Sequence, residues 1–580
     1  MGSESHQNQP EKEPEQKRGN MDQLPNKMSG ARFIAETFKG YGVTHVFFVE
    51  AILRGALVEM ENLGIRRILT HSEKAAAYMA DGYARVSHRP GICMAQSVGA
   101  ANLASGLQDP YLGRSPVVAI TGRKDPIARY RNAYQEILHQ PMFDPVTKYN
   151  VYVDAAEQLP FLLRQAFREA TSGTPGPVHL DVLGHLGETT DKFKIDSEVI
   201  IEEPYTHYPA YRPEPGSEPL QKVVHVLEEA QRPVIVSGGG AAASSAGPDI
   251  VRLAEALSIP VATSLNGKGV IKDDHPLSVG VVGSYSRWTA NKVVSEADMV
   301  FFIGTNTGDM VTNNWTLPKK GTIIIQVDIN PSELGRNYPI RIGLMGDAKV
   351  TVRKLVEFLG TKYKKIEWAK HAQEIVKKWR ENMEPFRNSD AAPIRPERLC
   401  KEITEFLPPS AILVADTGYS SIWTCSLVDL TRPGQTYIRA AGTLGWAFPA
   451  SLGAKCAAPE RPVFCFTGDG GFWYHLSELE TALRYGIKTI TVVNNNYCLS
   501  QCSGGVSKAY GDRPGNREDL FRFRGANFAK VAQELGCLGI RVENPKEIAP
   551  ALQTALKADL PVVLDVVTDE NCKPGWEQTY

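Results

Sequence analysis

Cys465 to Tyr497 reads CFTGDGGFWYHLSELETALRYGIKTITVVNNNY. The apolar run Pro462-Val463-Phe464-Cys465-Phe466 that leads into it reads as a buried parallel strand. The chain then turns at Gly468-Asp469-Gly470-Gly471, where glycine lets a backbone bend sharply and approach a ligand closely. Leu476, Leu479, Ala482 and Leu483 predict one face of a following helix, and Gly486 predicts its end. A second strand, Ile487 to Val493, runs straight into Asn494-Asn495-Asn496. In a βαβ unit both strands finish on the same edge of the sheet, so Asp469 and Asn495 are expected to face one crevice. A carboxylate and an amide oxygen beside glycine N–H groups suit a Mg²⁺–diphosphate.

The same alternation of strand and helix recurs upstream. Residues 1–28 are polar and rich in Pro, Glu, Gln and Lys, and are expected to form a disordered tail. A first module, 29–195, opens on a helix with Phe33, Ile34 and Phe38. It continues through strands over 43–49, 67–70, 91–95, 116–121 and 177–182, with an Ala-rich helix over 73–84. A Pro-rich linker, 196–219, leads to a second module, 220–360, with strands over 233–237, 299–303 and 323–327. Residues 361–392, rich in Lys, Glu and Trp, predict an exposed helical connection to a third module, 393–570, with a short tail over 571–580. Repeated βα alternation implies parallel sheets. The expected fold class is therefore α/β, with three doubly wound parallel-sheet domains.

Composition narrows the class of function. The chain has 580 residues, 42% hydrophobic and 22% charged, which is ordinary for a globular protein with several cores. Lys and Arg number 64 against 65 Asp and Glu, a net charge of −1 that favours neither nucleic acid nor an anionic membrane. No apolar run approaches the ~20 residues of a membrane helix. The first residues have no apolar core of a secretory signal. A cytoplasmic protein acting on a small molecule is expected. Nine scattered cysteines without a CxxC pair are expected to be free thiols.

GDG, a helix, a strand and then NN resembles the fingerprint of thiamine-diphosphate (ThDP) enzymes. It is similar to the group that contains acetolactate synthases, benzoylformate decarboxylase and oxalyl-CoA decarboxylase. The resemblance extends over most of the chain and implies a pyrimidine-binding, a central and a diphosphate-binding domain. It implies ThDP and Mg²⁺ as cofactors. Asp469, Asn495 and the main-chain carbonyl of Tyr497 would be the metal ligands, with Gly468, Gly470 and Gly471 against the diphosphate. His71-Ser72-Glu73-Lys74-Ala75-Ala76-Ala77-Tyr78-Met79-Ala80-Asp81-Gly82-Tyr83-Ala84-Arg85 resembles the segment that carries the family's catalytic glutamate, here Glu73. A carboxyl bonded to the pyrimidine N1′ promotes the tautomer whose exocyclic nitrogen removes the thiazolium C2 proton. A lone Glu at a helix start is also what the macrodipole favours.

Gly442-Thr443-Leu444-Gly445-Trp446 resembles the stretch whose large apolar residue, here Leu444, wedges between the cofactor rings, with Thr443 beside it. Gly418, Tyr419 and Ser420 follow the strand 411–415 and resemble the first diphosphate-binding turn. Gln135 in Tyr134-Gln135-Glu136 resembles a family glutamine near the reaction centre. Two loops depart from the family. Where a glycine loop is usual after the first strand, this chain has Val49-Glu50-Ala51, and where TSGPG is usual it has Ala95-Gln96-Ser97-Val98-Gly99. Glu50 and Gln96 are thus further candidates for a role at the reacting carbonyl, and pyruvate-plus-pyruvate chemistry is put in question. The central module resembles a domain that carries FAD or ADP in relatives, and FAD and an empty domain both remain open. Residues 498–526 are expected to be a mobile lid-like loop. The expected activity is acetolactate-synthase-like carboligation; 2-keto-acid decarboxylation, a 2-hydroxyacyl lyase and a non-catalytic ThDP-binding paralogue are the alternatives. The resemblance implies a homodimer or homotetramer.

Overall fold

In the computed structural model of the chain, residues 27–359 and 364–574 are described. The tail expected over 1–28 lies outside them as far as residue 26, as do the 360–363 junction and positions 575–580. Met28–Ser29 pairs antiparallel with Lys194–Ile195, so ordered chain begins before residue 29.

Three six-stranded sheets carry the fold, and within each every pairing is parallel. The N-terminal sheet runs, in spatial order, Arg66–Leu69, His45–Phe48, Gly91–Ala95, Val117–Arg123, Val178–Leu183 and Tyr149–Val153. The C-terminal sheet repeats this order with Thr436–Arg439, Ile412–Ala415, Val463–Gly468, Ile490–Asn495, Val562–Val567 and Leu538–Val542. Numbered along the chain, both read 2-1-3-4-6-5. The central sheet is different: Ser278–Val281, Val261–Thr263, Pro233–Ser237, Met299–Ile303, Ile323–Asp328 and Ile342–Met345 read 3-2-1-4-5-6, the order of dinucleotide-binding sheets. The strands are apolar on both faces because helices cover both faces.

The N- and C-terminal modules share one core. The helix Glu73–Ser87 lies along the helix Ala447–Ala457, and Ala76, Met79, Ala80, Phe448, Ala450 and Leu452 sit in a single buried cluster. The two helices approach backbone to backbone. A Cβ on Gly82 would stand 2.0 Å from the Ala450 carbonyl oxygen, and one on Gly453 1.9 Å from that of Met79. Gly453→Ala therefore drives a methyl into main chain that cannot swing away. It is expected to cost about 1–3 kcal/mol or more, the usual penalty for overpacking, read as a lowered thermal midpoint. An unchanged midpoint would contradict this contact. Charged groups close the same seam. Arg85 pairs with Asp81 and Asp109 and donates to the Arg439 carbonyl at 2.7 Å, and the Trp446 indole N–H donates to Asp81 at 2.9 Å.

The helix expected through Leu479, Ala482 and Leu483 is present as Glu478–Tyr485 and ends at Gly486 in the left-handed conformation; a separate short helix, Asp469–Trp473, precedes it, and the buried Glu478 accepts the His71 N–H from the N-terminal module. One expectation needs correction. The loop expected over 498–526 contains an 11-residue helix, Ser500–Tyr510, and a 3₁₀ turn, Arg517–Leu520. Gly504 and Gly505 weaken a helix by about 1 kcal/mol each without forbidding it. The nine cysteines are free, as expected. Among the described residues no helix is long and apolar enough to cross a membrane.

Candidate cofactor and metal site

In the C-terminal module the strand order reverses between Ile412–Ala415 and Val463–Gly468, and crevices of α/β sheets open at such points. Both strands end there in turns carrying the expected residues. Gly418 caps the helix Tyr419–Leu427 at φ +68°, a conformation that glycine adopts without strain. A Cβ placed on Gly468 would lie 3.6 Å from Ser420 Oγ, so the two turns face one another. Asp469 is the first residue of its short helix, and its neighbours Gly470 and Gly471 are buried. The adjacent parallel strand, Ile490–Asn495, delivers Asn495 to the same edge.

Several side-chain oxygens at this edge are orphaned, Asn494 Oδ1 among them. Asp469 Oδ2 and Asn495 Oδ1 are buried and have no hydrogen-bond partner. Burial pushes the Asp469 carboxyl up to about 7. Such groups are costly to bury unless something pairs with them. The Asn495 amide is held so that its oxygen is left over: Nδ2 donates to Asp565 at 2.8 Å and to the Ala526 carbonyl at 3.1 Å. Asp565 is itself held by the Phe528 N–H and by Arg541, which also donates to the Tyr497 hydroxyl at 2.7 Å. Tyr497 stands at φ +61°, a left-handed backbone state uncommon for a non-glycine residue. That carbonyl accepts the Phe523 N–H at 2.7 Å and keeps its second lone pair. These three oxygens fit a hard divalent cation, which takes carboxylate, amide and carbonyl ligands. Among the described residues no group of three or more His, Cys, Asp or Glu side chains could hold a metal ion.

Thr443 and Leu444 lie half-buried beside this crevice. The Gly445 N–H donates to Asp416, a fully buried carboxylate that also takes the Thr467 hydroxyl at 2.9 Å and the Thr417 N–H at 2.8 Å. Burial raises Asp416 to about 6. Asp416 directly follows the strand Ile412–Ala415, two residues before Gly418. It ties its own turn to the Gly445 turn and to the end of the strand Val463–Gly468, through two main-chain N–H groups and one hydroxyl.

In the N-terminal module, Glu73 is the first residue of its helix, capped by Ser72, whose hydroxyl accepts the Ala75 N–H. Glu73 Oε2 accepts from Asn102 at 3.1 Å. A Cβ on Gly99 would lie 2.4 Å from Oε1, so a side chain there would displace the Glu73 carboxyl. Gln96, half-buried on that turn, and Gln135 are brought near each other by the Ser97 hydroxyl, which donates to the Gln135 carbonyl at 2.7 Å. Gln135 Oε1 is buried without a partner. Glu50 is different: it is exposed and paired with Arg54 at 2.6 Å, whose guanidinium lowers its pKa. Ala51 stands at φ +81°, a backbone state better suited to glycine.

The central sheet has a crevice of its own, a cavity of about 470 Å³. Gly239, Gly240, Gly304 and Asp328 line it beside Arg85, Arg114 and Tyr208 of the N-terminal part.

Sequence models of the thiamine pyrophosphate enzymes match three stretches: the N-terminal TPP binding domain over 28–142, the central domain over 220–355 and the C-terminal TPP binding domain over 416–566. A probable acetolactate synthase large subunit of Methanocaldococcus jannaschii is 34% identical over 567 residues, 93% of this chain and 92% of the relative. One from Methanococcus aeolicus is 33% identical over 87% of this chain and 85% of the relative. An acetolactate synthase large subunit of Corynebacterium glutamicum is 30% identical over 95% and 88%. With all three domains matched and relatives aligned along nearly the whole length, the chain belongs to the acetolactate synthase-like family of thiamine-diphosphate-dependent enzymes.

Proposed function

We propose that the protein is a Mg²⁺- and ThDP-dependent carboligase that joins carbonyl compounds, starting from a 2-keto acid or a related donor. The observation that carries this reading is the pair of buried, unpartnered oxygens of Asp469 and Asn495 at one sheet edge. With the Tyr497 carbonyl they would hold the metal, and Gly418, Tyr419, Ser420, Thr443, Gly468, Gly470 and Gly471 would line the diphosphate. When bound, ThDP supplies the carbon nucleophile for chemistry next to a carbonyl. Leu444 would orient it by packing against it. Glu73 holds and releases a proton on Oε1, because Oε2 is already engaged by Asn102. Gln135 and Gln96 would border the reacting carbonyl and select the substrate; Glu50, exposed and paired with Arg54 on the single chain, would join them only where a second copy covers it.

The active form is a homodimer or larger. Tyr130 and Tyr134 beside Gln135, and Trp473 and Tyr474 beyond Asp469, are exposed on the single chain, and a second copy would cover them. The central cavity is proposed to take a nucleotide such as FAD, supported by the strand order and the glycines that line it. Visible absorption of the purified protein, with release of free flavin on denaturation, tests this.

A donor–acceptor screen on size-separated holoenzyme, following both CO₂ release and coupled products, tests the activity. Coupled product from a 2-keto acid, co-eluting with a dimer or larger species, is expected. Release of CO₂ with free aldehyde alone would instead favour a decarboxylase, and full activity in a monomer would overturn the assembly.

A further inference from the structure

The segment Ala441-Gly442-Thr443-Leu444-Gly445 is held on both sides by buried carboxylates. Asp109 belongs to the helix Ala100–Gly113 of the N-terminal module and is fully buried. It accepts the Ala441 N–H at 2.9 Å and the Thr443 N–H at 3.3 Å. Asp416 is fully buried in the C-terminal module and accepts the Gly445 N–H at 3.1 Å. Leu444 thus sits between two amides tied to opposite sides. The segment has little freedom to relax elsewhere: Gly445 is at φ +87°, and a Cβ there would lie 2.6 Å from Tyr474 Cβ. Arg85 joins the anchor by donating to Asp109 at 3.1 Å and to the Arg439 carbonyl at 2.7 Å, just before the segment.

Closing a turn does not require this. A neutral side chain or a water can satisfy two amides, whereas a buried carboxylate is costly and is retained only when its partners compensate it. What carboxylates add is strength and a fixed geometry, since hydrogen bonds to an ionised acceptor are shorter and roughly twice as strong as neutral ones. We propose that Asp109 and Asp416 are positioning residues that set the height and tilt of Leu444 against the cofactor rings. Through Asp109, the geometry of the C-terminal module's cofactor site then depends on how the same chain's N-terminal module packs beneath it. The inference rests on the reading that Leu444 touches ThDP.

The test is a set of double-mutant cycles on the full-length holoenzyme. Asp109→Asn and Asp416→Asn are each made alone and together with Leu444→Ala. ThDP affinity is read by calorimetry, C2 proton exchange by NMR, and the bound pyrimidine by its near-ultraviolet circular dichroism. Asp109→Asn is expected to slow exchange about 10- to 100-fold, the scale of a small misplacement of reacting groups. It should also alter the dichroism while leaving ThDP affinity nearly unchanged. With Leu444→Ala already present, the same substitution should have little further effect, because residues that act through one another are not additive. Equal slowing in both backgrounds, or none in either, would overturn the proposal. If Asp109→Asn does not fold, Asp416→Asn decides by the same cycle, since it lies in the other module. Failure of the unaltered chain to bind ThDP is a separate outcome that overturns the cofactor reading and this inference together.

Discussion

Asp469→Ala is expected to abolish Mg²⁺-dependent retention of ThDP. Asp469 is the only charged member of the proposed ligand set, and a hard cation is held mainly by anionic oxygen. Its Oδ2 is buried with no protein partner, although main-chain N–H groups of Gly470 and Asn496 favour the ionised carboxyl. Removal should leave the chain folded, because the loss of main-chain hydrogen bonds to the carboxyl is offset by the loss of a buried charge whose Oδ2 has no partner. Affinity for ThDP in the presence of Mg²⁺ should fall by more than about 10²-fold, since even groups behind metal ligands are worth 10- to 100-fold. Asp469→Asn keeps an oxygen without the charge and should fall between. Calorimetric titration with ThDP at saturating Mg²⁺ reads all three proteins. Undiminished affinity in Asp469→Ala would place the metal elsewhere.

Glu73→Gln should do the opposite, leaving binding and removing turnover. Glutamine has the same size, so the tight fit against Gly99 is preserved. Its amide oxygen can still accept from Asn102, and the Ser72 cap is untouched. What is lost is a group that can hold and release a proton. Turnover is expected to fall by about 10²-fold or more, the range in which general acid–base contributions begin. ThDP affinity should change little, because the diphosphate end carries most of the anchoring. Steady-state kinetics beside calorimetry checks both halves. A large loss of ThDP affinity with kcat retained would mean that Glu73 is only a binding group.

Much of this site could be read before the fold was known, and the reason is local. Asp469 and Asn495 are fixed by two consecutive strands of one βαβ unit, so their meeting follows from a stretch of sequence short enough to interpret by periodicity alone. Ser72 and Glu73 likewise announce a helix start by residue type. Asp109 could not be read in this way. The amide it holds is 332 positions away, and the contact is to main chain, which leaves no trace in residue identity. Topology was legible only as alternation. The central sheet's different order depends on Val261–Thr263, Ser278–Val281 and Ile342–Met345, three short strands that hydrophobic runs do not mark. Tyr149–Val153 was hidden because it is a half-buried edge strand with weak alternation. The Ser500–Tyr510 helix was hidden by its two glycines. Glu50 drew attention by replacing a glycine loop, yet it lies on the surface against Arg54.

The central claim is that Glu73, and not Glu50, moves the proton that starts the chemistry. Hydrogen–deuterium exchange at C2 of bound ThDP, quenched at short times and read by proton NMR, measures that step apart from substrate choice and product release. Exchange in Glu73→Gln should be slowed by about 10²-fold or more. Glu50→Gln should exchange like the unaltered enzyme and differ only in the carbonyl compounds it accepts. Normal exchange in Glu73→Gln together with its collapse in Glu50→Gln would contradict the account and move the catalytic carboxylate to the loop after the first strand.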